Sequence, residues 1–155
     1  MLITSSRKPS ASTRTLCKHL ATFFGCEYTN RGKMGMGEVL ALSHNMPLII
    51  VGEYHGNPGS ILFYDSDGYC ILSLHISVLS APASHSRSSG FDIGGDNELV
   101  SIISDILLPE KTDRTSLHLL LELTGDKMDF KERGKVLFSL RIKSHKIYTG
   151  DEDCT

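Results

Sequence analysis

Three apolar runs, Leu48 to Tyr54, Ser60 to Tyr64 and Tyr69 to Leu79, follow one another, separated by Gly56-Asn57-Pro58-Gly59 and by Asp67-Gly68. Glycine, asparagine, proline and aspartate are the residues of tight turns, so the spacing predicts three neighbouring strands in an antiparallel meander.

Around this sheet the patterning alternates between strand and helix. Leu2 to Ser5 is a short strand candidate. Pro9 with Ser10 or Ser12 is a helix start signal, and Leu16, Leu20, Phe23 and Phe24 supply an apolar face before Gly25 closes the helix. A shorter helix is expected over Gly35 to His44, with Met36, Val39, Leu40 and Ser43 inward. Ser80 to Gly95 is rich in serine and glycine and contains Pro82, which predicts an exposed connector between two halves. Beyond it Asp96 is expected to cap a helix carrying Leu99, Ile102, Ile103, Ile106 and Leu107, which Pro109 ends. Leu117 to Leu123 is a strand candidate. A second is predicted where Val136, Phe138, Leu140 and Ile142 alternate with Lys135, Leu137, Ser139, Arg141 and Lys143, apolar side inward and basic side outward, with Lys146 to Tyr148 as its extension. Helix, strand, turn and strand thus recur on both sides of the connector. Gly59-Ser60-Ile61-Leu62-Phe63 is echoed by Gly134-Lys135-Val136-Leu137-Phe138, which suggests a duplicated α/β half.

The net charge of −2 conceals an uneven distribution: residues 1 to 36 carry +5, residues 37 to 109 carry −7 and residues 110 to 155 are neutral. A basic end of this kind points to a polyanionic partner. At 155 residues and 40% apolar, the chain has the size and composition of one domain. No apolar run approaches the roughly 20 residues that span a bilayer, and no signal-peptide core follows Met1, so a cytoplasmic protein without a membrane role is expected. Cys17, Cys26, Cys70 and Cys154 form no CxxC pair, and reduced thiols are the simplest expectation.

The motifs of catalysis are missing. His19, His44, His55, His75, His85, His118 and His145 are scattered without HExxH spacing, and Gly32-Lys33 and Gly134-Lys135 lack the context of a phosphate-binding NTPase loop. Asp65, Asp67, Glu122 and Asp126 fall at turns, where aspartate is commonly structural. No catalytic residue, metal or cofactor is therefore expected. The remaining signal is anion recognition. Asn30-Arg31-Gly32-Lys33 stands in a loop before a helix, where backbone N–H groups and two cations can meet a phosphate, and Arg7-Lys8 repeats the arrangement before the first helix. Arg14 and Lys18, four apart on that helix, add a like-charged pair with no acid near it in sequence. The chain has no tryptophan, and Phe23 and Phe24 lie at core spacing, so bound RNA is expected to be held by its backbone and shape.

Several blocks together resemble the Brix-domain family of ribosome-biogenesis proteins, in its short archaeal form. They are Ile3-Thr4-Ser5-Ser6-Arg7-Lys8-Pro9-Ser10 with Arg14 and Leu20, Asn30-Arg31-Gly32 leading to Glu38-Val39-Leu40, Glu53-Tyr54-His55-Gly56-Asn57-Pro58-Gly59, and Phe138-Ser139-Leu140-Arg141-Ile142. The resemblance implies one domain over residues 1–150, built as two similar α/β halves like the anticodon-binding domain of class IIa aminoacyl-tRNA synthetases. The halves would be 1–80 and 96–150, joined by a connector at 81–95, with an acidic tail at 151–155. It further implies a non-catalytic role in ribosomal RNA processing and subunit assembly. The expected RNA contacts are Arg7, Lys8, Arg14, Lys18, Asn30, Arg31, Gly32 and Lys33, joined by the strand cations Lys135, Arg141 and Lys143. Ribosomal proteins or other assembly factors are further expected partners, and a eukaryotic source would move the expected compartment to the nucleolus. The rival readings are an interaction scaffold that docks basic ribosomal proteins on the acidic segment 37–109, and an RNA-modifying enzyme.

Overall fold

The computed structural model describes residues 1–80, 90–108 and 118–149. Among these, three helices accompany nine strands that join in one continuous sheet of order β2-β1-β3-β4-β5-β9-β8-β7-β6. In chain order the elements are β1 (Leu2–Ser5), α1 (Ala11–Phe24), β2 (Glu27–Tyr28), α2 (Met36–Leu42), β3 (Leu48–Tyr54), β4 (Asn57–Tyr64), β5 (Cys70–Ser80), β6 (Asp92–Gly95), α3 (Leu99–Leu107), β7 (Leu119–Thr124), β8 (Lys127–Glu132) and β9 (Lys135–Ile147).

Strand alternation separates two cores. Ile49 and Val51 of β3 and Ile61 and Phe63 of β4 face α1 and α3, which share one apolar cluster on the same side of the sheet. Leu48, Ile50, Leu62 and Tyr64 face the other way, against α2 through Val39, Leu40 and Met36. Phe23 of α1 is fully buried and meets Phe130 of β8 edge to face at 5.0 Å, while Phe130 stacks on Phe138 of β9 at 4.2 Å. Helix α1 therefore packs on strands from both ends of the chain.

The meander β3-β4-β5 is antiparallel as the turn residues demand, and α1 runs from an N-cap at Ser10 to a left-handed Gly25. Strand order also shows a repeat. In both parts of the chain a strand is followed by helix, then by a parallel neighbour that opens an antiparallel triplet: β1 with β3-β4-β5, and β6 with β7-β8-β9. The triplets meet where β5 and β9 pair antiparallel, so the halves merge into one sheet rather than forming two small ones. The pentapeptide echo falls out of phase with this repeat, since Gly59–Phe63 belongs to β4 and Lys135–Phe138 to β9.

Several expectations need correction. Residues 92–95 of the supposed connector are β6, while residues 81–89 lie outside the described residues. The Asp96 carboxylate accepts the Gly125 N–H at 3.2 Å and does not cap α3; Asn97 Oδ1 instead accepts the Leu99 N–H at 2.7 Å. Both residue types cap helices equally well, so sequence could not choose between them. Val136 is 43% exposed and Leu137 is buried, the reverse of the alternation, because the register between β8 and β9 shifts after Phe130 and leaves Leu137 unopposed. Cys17 and Cys26 are free, but Cys70 is disulfide-bonded, which overturns the expectation of four reduced thiols. Cys154 lies outside the described residues. Burial pushes the Cys17 thiol up to about 12, so it behaves as a small apolar side chain.

Candidate nucleic-acid interface

The strands β2, β1 and β3 are parallel neighbours, so their carboxyl ends lie at one edge of the sheet. From that edge spring the loop 6–10, the loop 29–35 and the hairpin that turns at His55-Gly56. The first two hold the basic motifs. Ser6 N–H donates to Val51 O at 2.9 Å, Thr29 N–H to Ile3 O at 2.9 Å, and Thr4 Oγ1 to Thr29 O at 2.6 Å, which fixes both loops to the strand ends.

The two motifs, far apart in sequence, meet at a single carbonyl. Arg31 Nε donates to Met34 O at 2.6 Å, and Arg7 Nε reaches the same oxygen at 3.3 Å. Arg31 also donates through its guanidinium to Ser5 O at 3.1 Å and is only 7% exposed. The expectation that Arg31 contacts RNA from an exposed loop is thus corrected: its fork of donors is used on main-chain acceptors, where it ties loop 29–35 to the end of β1. Lys8, Asn30, Gly32 and Lys33 remain exposed around that anchor.

The N-terminus of α1 is already occupied by an anion. Glu53, on β3, accepts the Ser10 backbone N–H through Oε1. That bond, with side-chain bonds from Thr13 and Ser10 and the charge of Arg14, holds the Glu53 carboxyl below the usual carboxylate range. An acid therefore competes for Arg14, contrary to the sequence expectation. Arg14 donates to Pro9 O at 2.9 Å and is exposed, as is Lys18.

The strand cations are dispersed. Lys135 stands opposite Glu132 at the start of β9, Arg141 lies 3.3 Å from Asp126, and Lys143 lies eight residues along the strand from Lys135, roughly 26 Å away. These three do not form a common face. Three acids of segment 37–109 have local partners: Glu53 serves α1, Asp65 accepts Asp67 and Tyr69 N–H in a turn, and Asp96 accepts Gly125 N–H.

One feature was missed in the sequence. Strands β4 and β5 pair only as far as Ser60 and His75; beyond that point β4 stays with β3, and β5 continues with β9. The sheet forks there, and a cleft of about 940 Å³ opens under α1, with Leu16 and Ile76 in its lining and Tyr54 and Lys143 at its walls. The signal was present in Glu53 to Gly59, a hairpin whose tyrosine had no apolar partner in the pattern. Among the described residues no three His, Cys, Asp or Glu side chains gather as metal ligands, and no helix is long and apolar enough to cross a membrane.

No family model matches the chain. A protein of Methanococcoides burtonii named "Probable Brix domain-containing ribosomal biogenesis protein" is 44% identical over 150 residues, covering 94% of this chain and 96% of its own length. A protein of the same name from Methanosarcina barkeri is 38% identical over 157 residues, 96% of this chain and all of its own. Among solved structures, Mil, an archaeal Imp4-like protein, superposes with a TM-score of 0.71 at 25% identity over 96% of this chain and 99% of its own. A chain from Aeropyrum pernix K1 named "probable ribosomal biogenesis protein" gives 0.72 at 20% identity over 96% and 98%, a likeness of fold.

Proposed function

This chain belongs to the family of Brix domain-containing ribosomal biogenesis proteins, and from that premise we propose that it binds ribosomal RNA through its basic N-terminal edge and assists RNA processing and subunit assembly without making or breaking bonds. The observation that carries the reading is the meeting of the two basic loops at Met34 O, with Arg31 buried as their anchor and Lys8 and Lys33 left exposed. Phosphate contact from such a rim is electrostatic and positions the RNA without reading sequence. The work is done in the cytoplasm on nascent subunits.

Binding of labelled ribosomal RNA fragments, followed by anisotropy in the absence of any partner protein, tests the reading. Lys33→Glu is expected to weaken binding while leaving thermal stability within about 0.5 kcal/mol of wild type. Affinity that is unchanged by Lys33→Glu, or that requires a basic ribosomal protein, contradicts it.

A further inference from the structure

We propose that the cleft in the fork of the sheet is a subsite for an unstacked nucleotide of single-stranded RNA, with Tyr54 as the stacking platform. The inference rests on the reading of the protein as an RNA binder and sharpens it, since a rim of lysines alone cannot tell a single strand from a duplex.

The cleft has the make-up of a base pocket. Its floor is apolar, through Leu16 and Ile76, and its walls carry hydroxyl, amide and imidazole groups able to meet a base edge, among them Asn57, His75, Ser77 and Ser144. Tyr54 stands on its wall with 67% of its surface exposed, and its ring meets His55 at 4.1 Å in an edge arrangement. The backbone is built to hold it there. His55 and Gly56 both have positive φ, at 52° and 77°, as a two-residue primed turn demands, and asparagine is the easier residue at the first of these places. Gly59 lies against Tyr54 so closely that a Cβ at 59 would stand 2.6 Å from Tyr54 Cβ and 3.0 Å from its main-chain nitrogen. Glycine at 59 is therefore what lets Tyr54 keep its position.

Charge decides between occupants. The chain as a whole is acidic, at −2, yet the cleft is lined by no Asp or Glu among the described residues, while Lys143 and two histidines face it. Lys143 is there because of a bulge. His75 pairs with Ser144 and Ile76 with Ile142, so Lys143 has no opposite residue, leaves the alternation of β9 and lines the cleft. A basic peptide would find no counter-charge in this cleft, whereas a nucleotide finds a ring for its base and an ammonium for its phosphate.

The chain contains no tryptophan, so Tyr54→Trp places a sole indole at the proposed platform. Its emission is expected to be quenched by oligouridylate and oligoadenylate and left unchanged by duplex RNA of the same length. Tyr54→Ala is expected to lower single-strand affinity about five- to 150-fold, the range that stacking on one ring gives, without lowering the melting temperature. Tyr54→Phe, which keeps the ring, stays within about twofold of wild type. Single strands that bind while the indole emission of Tyr54→Trp and the affinity of Tyr54→Ala stay unchanged overturn the cleft and leave the basic edge standing. Quenching by a basic peptide and not by RNA overturns it too. Failure of every RNA to bind at low salt removes the RNA reading and the cleft with it.

Discussion

Arg31 and Lys33 stand two apart in one loop and have opposite fates, the first buried at 7% exposure on Ser5 O and Met34 O, the second in solvent. Arg31→Ala leaves those carbonyls without their charged donor and is expected to cost about 2–3 kcal/mol, lowering the melting temperature by about 4–12 °C for a domain of this size. Arg31→Lys is expected to recover little of it, because one ammonium cannot reproduce the planar fork. Nothing in Asn30-Arg31-Gly32-Lys33 tells which cation is buried; that is set by a strand end 26 residues earlier. Glu53 carries the second residue-scale expectation. Its carboxyl is held below the ordinary range, so its contribution is complete above the unfolded pKa and is lost as pH falls through the lower folded value. Denaturant melts across pH are expected to show Glu53→Gln less stable than wild type at neutral pH, with the two curves converging in acid. A gap that persists below the carboxylate range contradicts the assignment.

At the scale of elements, α1 was legible to the residue at its Gly25 end and to within two residues at its start, where Ser10 and Ser12 are both cap residues, while Leu16, Leu20, Phe23 and Phe24 mark its inner face. The β3-β4-β5 meander was legible from its turns. Strands β2, β6 and β8 were not. The first has two residues and the second four, too few to show a period, and β8 offers only Met128 and Phe130 between charges. Their places come from tertiary pairing with β1, β7 and β9, which local patterning does not contain. The forked sheet and its cleft were illegible for the same reason, since a fork is a relation among three strands. Phe23 joins these elements. Phe23→Ala is expected to destabilise by about 3–5 kcal/mol, as it removes a fully buried ring packed on Phe24, Phe91 and Phe130. A single unfolding transition should persist and shift as a whole, because α1 and the strands of both halves share one apolar cluster. Two separated transitions would show the halves to be independent.

For the whole molecule, the decisive property is where the uncompensated positive charge lies. Lys8, Lys18 and Lys33 are exposed and have no ion-pair partner among the described residues. On the second half, Lys131 lies 2.8 Å from Glu122 and Arg141 lies 3.3 Å from Asp126, the residue beside Lys127. Acids therefore already offset that group before any RNA arrives. The uneven charge was legible in the sequence as a basic first quarter, but the ion pairs of Lys131 and Arg141 were not, because each cation meets its acid only where neighbouring strands pair. The most direct measurement is the dependence of ribosomal RNA affinity on salt for two triple variants, Lys8→Gln/Lys18→Gln/Lys33→Gln and Lys127→Gln/Lys131→Gln/Arg141→Gln. Each lost phosphate contact flattens the plot of log affinity against log salt by roughly 0.7–0.9, so the first variant is expected to lose about 2 in slope and the second less than about 1. Equal flattening by the two sets would mean that the protein binds RNA as a diffuse polycation, with no N-terminal edge set apart for it.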